Sequence, residues 1–115
     1  MRLQHVGITV PAEGLGEEEA FYAGVLGVPV LRSSERALIL ALGGDDLELH
    51  VIAGDAADPA AEHHFALEVE DLAAARVPLE AAGHTAVDAR PVGGRERFFV
   101  RDPFGNLVEL VSKPA

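Results

Sequence analysis

Two histidines and two glutamates recur in matched sequence settings. His5 opens the run HVGITV and His64 opens HFALEV, while Glu48 lies in LEL and Glu109 in VEL. Imidazole nitrogen and carboxylate oxygen are both good ligands for first-row divalent ions. A carboxylate within hydrogen-bond reach of an acidic carbon can also take its proton. Singly, each residue has a plain structural reading. His5 is near the terminus, the glutamates can be solvated on the polar face of a half-buried strand, and His64 can be a hydrogen-bonded histidine. Four such residues in two matched settings point instead to a metal site. His50 shares the strand face of Glu48, which makes it a substrate contact or an alternative ligand. His63 must face away from its neighbour His64 and reads as structural or surface. His84, after Gly83, is expected to begin a strand and to be exposed.

The elements that position these residues form a duplicated unit. HVGITV matches HFALEV at an offset of 59 residues, and LEL matches VEL at an offset of 61. Each copy reads as a strand (3–10 and 63–70), a helix (17–26 and 72–82) ended by Gly27 or Gly83, and three strands. These three are expected at 28–32, 36–42 and 46–52, then at 84–88, 95–101 and 107–112. The helix stops rest on glycine's access to the left-handed conformation. The segment AGDAADPAAE joins the copies. Phe21 with Val25 and Tyr22 with Leu26 make an i, i+4 stripe able to cover a sheet. In the second helix Asp71 is a good N-cap, and Pro78 is expected to kink or shorten the helix. GGDD at 43–46 reads as a hairpin turn.

Alternation places the four residues on one side. Val6, Ile8 and Val10 share a face opposite His5, Gly7 and Thr9, and Phe65, Leu67 and Val69 share one opposite His64. Leu47, Leu49 and Val51, with Val108 and Leu110, turn Glu48, His50 and Glu109 away from the apolar side. If the two sheets join, the four candidate ligands point into one concavity.

Composition narrows the function classes. A chain of 115 residues with 49% hydrophobic content is one domain, able to bury roughly two-thirds of its unfolded surface. It has no cysteine, which excludes thiolate catalysis and disulfide scaffolding. Nine Lys+Arg against 19 Asp+Glu give a net charge of −10, which argues against a nucleic-acid partner. Arg90, Arg95, Arg97 and Arg101 are interspersed with acids and read mainly as solvated surface, with a small anionic ligand as the other role open to them. The longest apolar run, ALILAL, is too short to span a bilayer, and no signal-peptide pattern precedes the first strand, so no membrane partner and a cytoplasmic location are expected. No P-loop, Rossmann glycine pattern, nucleophile elbow or HExxH is present.

Five segments, LQHVGITV, AFYAGVLG, LELHV, HFALEVEDL and FFVRDPFGNLVEL, resemble the glyoxalase/bleomycin resistance/dioxygenase family, the vicinal oxygen chelate superfamily. The likeness spans nearly the whole chain, and the last segment is the most specific. It implies an α+β fold: one domain over 1–115, built from modules 1–53 and 62–115, each βαβββ. Together these form an open, cup-shaped, eight-stranded mixed sheet with helices outside, usually in a homodimer. Positions that bind metal in glyoxalase I-like members match His5, Glu48, His64 and Glu109. The implied cofactor is one divalent ion (Ni, Co, Zn, Mn or Fe). The implied activity is that of a lyase or isomerase that chelates neighbouring oxygens of a small-molecule substrate and stabilises an enediolate, with Glu109 or Glu48 as base. Thr9 and Ile52 stand where glutathione-using members carry arginine and asparagine, so the resemblance does not extend to glutathione hemithioacetal. Two further readings belong to the same family. One is a metal-free binding protein of the bleomycin-resistance type. The other is an extradiol-type dioxygenase using His5, His64 and Glu109.

Overall fold

The computed structural model describes residues 1–43 and 46–114. Gly44 and Asp45, half of the expected GGDD turn, lie outside the described residues. On either side of them Gly43 (φ +81°) and Asp46 (φ +62°) both take left-handed backbone.

The chain runs β1 (His5–Val10), a helical segment, β2 (Val30–Ser33), β3 (Ala37–Ala41), β4 (Glu48–Ala53), β5 (His64–Val69), a second helix, β6 (Val87–Val92), β7 (Arg95–Arg101) and β8 (Leu107–Ser112). The eight strands hydrogen-bond as two open four-stranded mixed sheets of identical topology, β1-β4-β3-β2 and β5-β8-β7-β6. In each sheet the first strand lies parallel to the last strand of its module, and the remaining pairs are antiparallel. The duplicated βαβββ unit expected from sequence is therefore present in both copies.

The apolar faces collect into one core. Val10, Leu38, Leu40, Leu49 and Val51 of the first sheet, Phe98, Val100, Val108 and Leu110 of the second, and Phe21, Tyr22 and Leu79 from the helices belong to a single buried cluster. The strict alternation of β4 and β8 accounts for this. Leu49, Val51, Val108 and Leu110 are buried, while Glu48, His50 and Glu109 between them remain partly accessible.

The first helical segment differs from a plain helix over 17–26. It starts as a single 3₁₀ turn at Ala12–Gly14, continues as α1 (Leu15–Glu19) and widens at Ala20–Val25. There bonds skip five residues, as from the Leu26 N–H to the Phe21 carbonyl at 3.0 Å. The wider turn buries the adjacent Phe21 and Tyr22 together. α2 (Leu72–Ala81) is capped by Asp71, whose Oδ1 accepts from the Ala74 N–H at 3.0 Å. Pro78 does not shorten it. Only one backbone donor is lost there, and the helix runs on to Gly83, whose φ of +88° ends it. His84 does not begin a strand. Its N–H closes the helix end on the Leu79 carbonyl at 2.9 Å, its half-buried ring meets Phe21 edge-on, and β6 starts three residues later than expected.

The RDPFGN segment ties the modules together. Asp102, nearly buried, accepts from the Phe104 and Asn106 N–H groups through Oδ1 and from the Tyr22 hydroxyl through Oδ2 at 2.9 Å. Asn106 Nδ2 donates to the Thr9 carbonyl at 3.3 Å. The turn that sets up β8, and with it Glu109, is thereby anchored to the first module.

Candidate functional site

Each sheet carries one set of candidate ligands on the face opposite the core. In the first sheet His5 pairs across the parallel ladder with Glu48, and Gly7 pairs with His50. His5 Nδ1 lies 2.6 Å from Gln4 Oε1. An amide oxygen only accepts, so Nδ1 carries a ring proton and Nε2 is the nitrogen left uncommitted. The His5 and His50 rings stack at 4.0 Å, 7° from parallel. His50 Nε2 donates to Glu48 Oε1 at 2.8 Å, and Arg32 Nη2 stands 4.0 Å from the same oxygen. The hydrogen bond from His50, assisted by Gln4 and the Arg32 charge, holds the Glu48 carboxyl below its usual range.

In the second sheet His64 pairs with Leu107, and Ala66 pairs with Glu109. His64 Nδ1 donates to the Glu62 carbonyl at 2.9 Å, and its Nε2 lies 3.0 Å from Glu109 Oε1. The ring is braced edge-on by Phe99. Arg97 Nη1 is 3.5 Å from Glu109 Oε1, and the Glu109 side chain is only 12% exposed.

The two sets differ in register. The histidine runs repeat at 59 residues and the glutamates at 61, and this difference appears as a two-residue slip of β4 against β1 relative to β8 against β5. The slip is even, so Glu48 keeps the facing of Glu109. The position equivalent to Glu109 in the ladder nevertheless belongs to His50, with Glu48 one pleat earlier.

The donor chemistry fits a divalent ion at the second set. With Nδ1 donating to Glu62, Nε2 is the ring nitrogen left to meet the Glu109 carboxylate oxygen, at 3.0 Å. A cation between them, a proton or a metal, resolves the contact. Metal-bound histidines characteristically donate their other nitrogen to a backbone carbonyl, as His64 does to Glu62. Among the described residues, however, no three His, Asp or Glu side chains converge where one ion would touch all of them. No hydrogen bond or ion pair joins His5, Glu48 or His50 to His64 or Glu109. A single chain brings the four candidates together as two half-sets.

His63 is exposed, as expected beside His64. Thr9 and Ile52 are register partners, so that end of the first ladder offers a methyl-rich patch. The sequence reading passed over Arg32 and gave Arg97 mainly to the solvated surface, with a small anionic ligand as its other role. Arg32 and Arg97 each approach one candidate carboxylate, and the signal available was parity, since Arg97 lies two residues from Phe99, the ladder partner of Glu109.

The family model of the Glyoxalase/Bleomycin resistance protein/Dioxygenase superfamily matches residues 2–110. No curated protein matches the chain. Among solved structures, a putative glyoxalase family protein from Bacillus anthracis superposes with a TM-score of 0.83 at 24% identity, covering 98% of this chain and 95% of that one. A lactoylglutathione lyase from Agrobacterium tumefaciens gives 0.72 at 21% identity, with 96% and 92% covered. The genomically encoded fosfomycin resistance protein FosX from Listeria monocytogenes, in a mutant form complexed with Mn(II) and 1S,2S-dihydroxypropylphosphonic acid, gives 0.80 at 18% identity, with 95% and 87% covered. These likenesses agree with the two-module architecture, and the family match spans both strand pairs that carry the candidate residues. The chain belongs to the glyoxalase/bleomycin resistance protein/dioxygenase superfamily.

Proposed function

We propose that the protein is a divalent-metal-dependent lyase or isomerase of glyoxalase I-like type, acting on a small molecule with two neighbouring oxygens. The observation that carries this reading is the His64–Glu109 contact, in which the ring Nε2 and a carboxylate oxygen meet at 3.0 Å while the other ring nitrogen is committed to Glu62. The ligands would be His5 and Glu48, the latter coupled to His50, together with His64 and Glu109. A metal held there supplies Lewis-acid polarisation of the two substrate oxygens. A structurally similar protein complexed with Mn(II) and another named lactoylglutathione lyase are consistent with this chemistry.

The active unit in this proposal is a homodimer. Each chain carries two half-sets on topologically identical sheets, and a two-fold axis that brings the first sheet of one copy against the second sheet of the other completes two equivalent sites. Glu109 is the proton acceptor. Glu48 Oε1 already accepts from His50 Nε2 at 2.8 Å and is assigned the ligand role alone.

The test is the metal content of purified, untagged protein after chelation and reloading with Ni, Co, Zn, Mn or Fe, alongside His5→Ala and Glu109→Ala. The proposal expects about one ion per chain, lost in both variants. Absence of specific metal under every loading would overturn it in favour of a metal-free ligand-binding protein.

A further inference from the structure

Strand β7 turns a row of arginines toward the ligand-bearing face. Arg95, Arg97 and Arg101 alternate with Glu96, Phe98 and Val100, and Phe98 and Val100 are buried on the core side. Three of the nine Lys+Arg residues of a chain with net charge −10 thus share one strand face with Phe99, the partner of Glu109. Two of the three are used within the fold. Arg95 donates through Nε to the Ser112 carbonyl at 2.8 Å and pairs with Glu68. Arg101 donates to the Gly105 carbonyl at 2.9 Å, bracing the turn before β8.

Arg97 is placed differently. Its Nε donates to the Arg90 carbonyl at 2.9 Å and its guanidinium lies 5.3 Å from the centre of the Phe99 ring. The group is held from two sides, its Nη1 faces Glu109, and its Nη2 has no hydrogen-bond partner among the described residues. Among the described residues its one carboxylate neighbour is Glu109, at 3.5 Å, beyond good hydrogen-bonding distance. A planar fork fixed in advance loses little freedom on meeting a planar or tetrahedral anion. When Glu109 shares its charge with a metal, the described residues offer Arg97 no full counter-charge.

We infer that Arg97 receives an anionic group of the substrate. The inference rests on the metal-dependent reading above and narrows its substrate class. Arg97 lies two residues from the partner of Glu109, about 7 Å along the strand, so its guanidinium reaches an anion only a few bonds from the oxygens bound beside Glu109. The substrate is therefore a short acid in which a carboxylate or phosphonate neighbours the oxygen pair, such as a 2-oxo or 2-hydroxy acid.

The experiment titrates oxalate, phosphonoacetate and neutral hydroxyacetone into Co(II)-loaded wild type and Arg97→Gln, following the visible Co(II) spectrum. The expected result is that the variant still binds Co(II) before titration. Its Kd for the anionic probes should rise roughly 10- to 100-fold, and its affinity for hydroxyacetone should change less than about 2-fold. Arg97→Lys should recover part of the loss. Tighter binding of oxalate would identify a carboxylic acid as the substrate type, and tighter binding of phosphonoacetate a phosphonic acid. Equal anion affinity in wild type and Arg97→Gln, with Co(II) bound in both, would overturn the role of Arg97 alone. Failure of wild type to bind Co(II) would overturn the metal-dependent reading and this inference with it.

Discussion

His50 stands opposite Gly7 of β1, at the ladder position that Glu109 occupies opposite Ala66 of β5. The first module thus puts an imidazole where the second has a carboxylate, and couples it to Glu48 by a 2.8 Å hydrogen bond. His50→Ala should raise the Glu48 pKa toward its ordinary value, because the strongest interaction lowering it is removed. The check is a carboxyl-carbon NMR titration of the metal-free protein. An unmoved Glu48 titration would show that the two side chains are not coupled in solution.

Glu18 is the least comfortable carboxyl in the molecule. It is fully buried with neither oxygen hydrogen-bonded. Burial first, and then the neighbouring Asp102, push its pKa up to about 10. The folded state therefore keeps a proton that the unfolded chain releases near 4.5. The stability this group contributes is full below that value and is lost as pH rises toward 10. Urea unfolding should show wild type weaker at pH 8 than at pH 5 by about 2–4 kcal/mol, with the slope largely absent in Glu18→Gln. A wild-type stability that rises over this interval would contradict the assignment.

Tyr22 and Asp102 link the first helical segment to the β7–β8 turn through a buried 2.9 Å hydrogen bond. Tyr22→Phe should destabilise by about 1–2 kcal/mol, since it leaves Asp102 Oδ2 without its hydroxyl donor. Denaturant midpoints measured at pH 6 test this. Equal midpoints would mean that water replaces the hydroxyl at no cost.

Gly14 is buried against the Phe104 ring, and an added Cβ would lie 2.4 Å from two ring carbons. Gly14→Ala should cost about 1–3 kcal/mol, because the ring belongs to the turn that sets up β8. A thermal melt reads the effect. The absence of any destabilisation would show that Phe104 can swing aside freely.

Different parts of this structure were legible to different degrees. β7 and β8 match their expected bounds because RERFFVR and LVELVS are short runs rich in aromatic and β-branched residues, bounded by the glycine- and proline-containing turns at 91–94 and 102–106. β6 was misplaced because the His84 N–H is taken by the helix end and the apolar spacing of HTAVDARPV favours no single start. The widened turn at Ala20–Val25 is invisible in side-chain spacing, since Phe21, Tyr22, Val25 and Leu26 fit an ordinary helical stripe equally well. Among the site candidates, the pairing of His5 with Glu48 and of His64 with Glu109 follows from the duplication. The register slip was already present in the unequal offsets of 59 and 61. Arg97 reads mainly as solvated surface in a strongly acidic chain, and its place beside Glu109 emerges only once the strand that carries it is paired with β8.

Mixing two defective proteins tests the central claim, a metal centre completed by two copies of the chain. His5→Ala and His64→Ala should each lose bound metal when purified alone. Unfolded, refolded together in equal amounts and reloaded with Co(II), they should recover about a quarter of the wild-type metal. Half of the dimers are then mixed, and each mixed dimer has one site with intact half-sets from both chains. No recovery in the mixture, with wild type taken through the same refolding binding its full complement, would contradict a shared site. Undiminished metal in either single variant would remove that histidine from the centre.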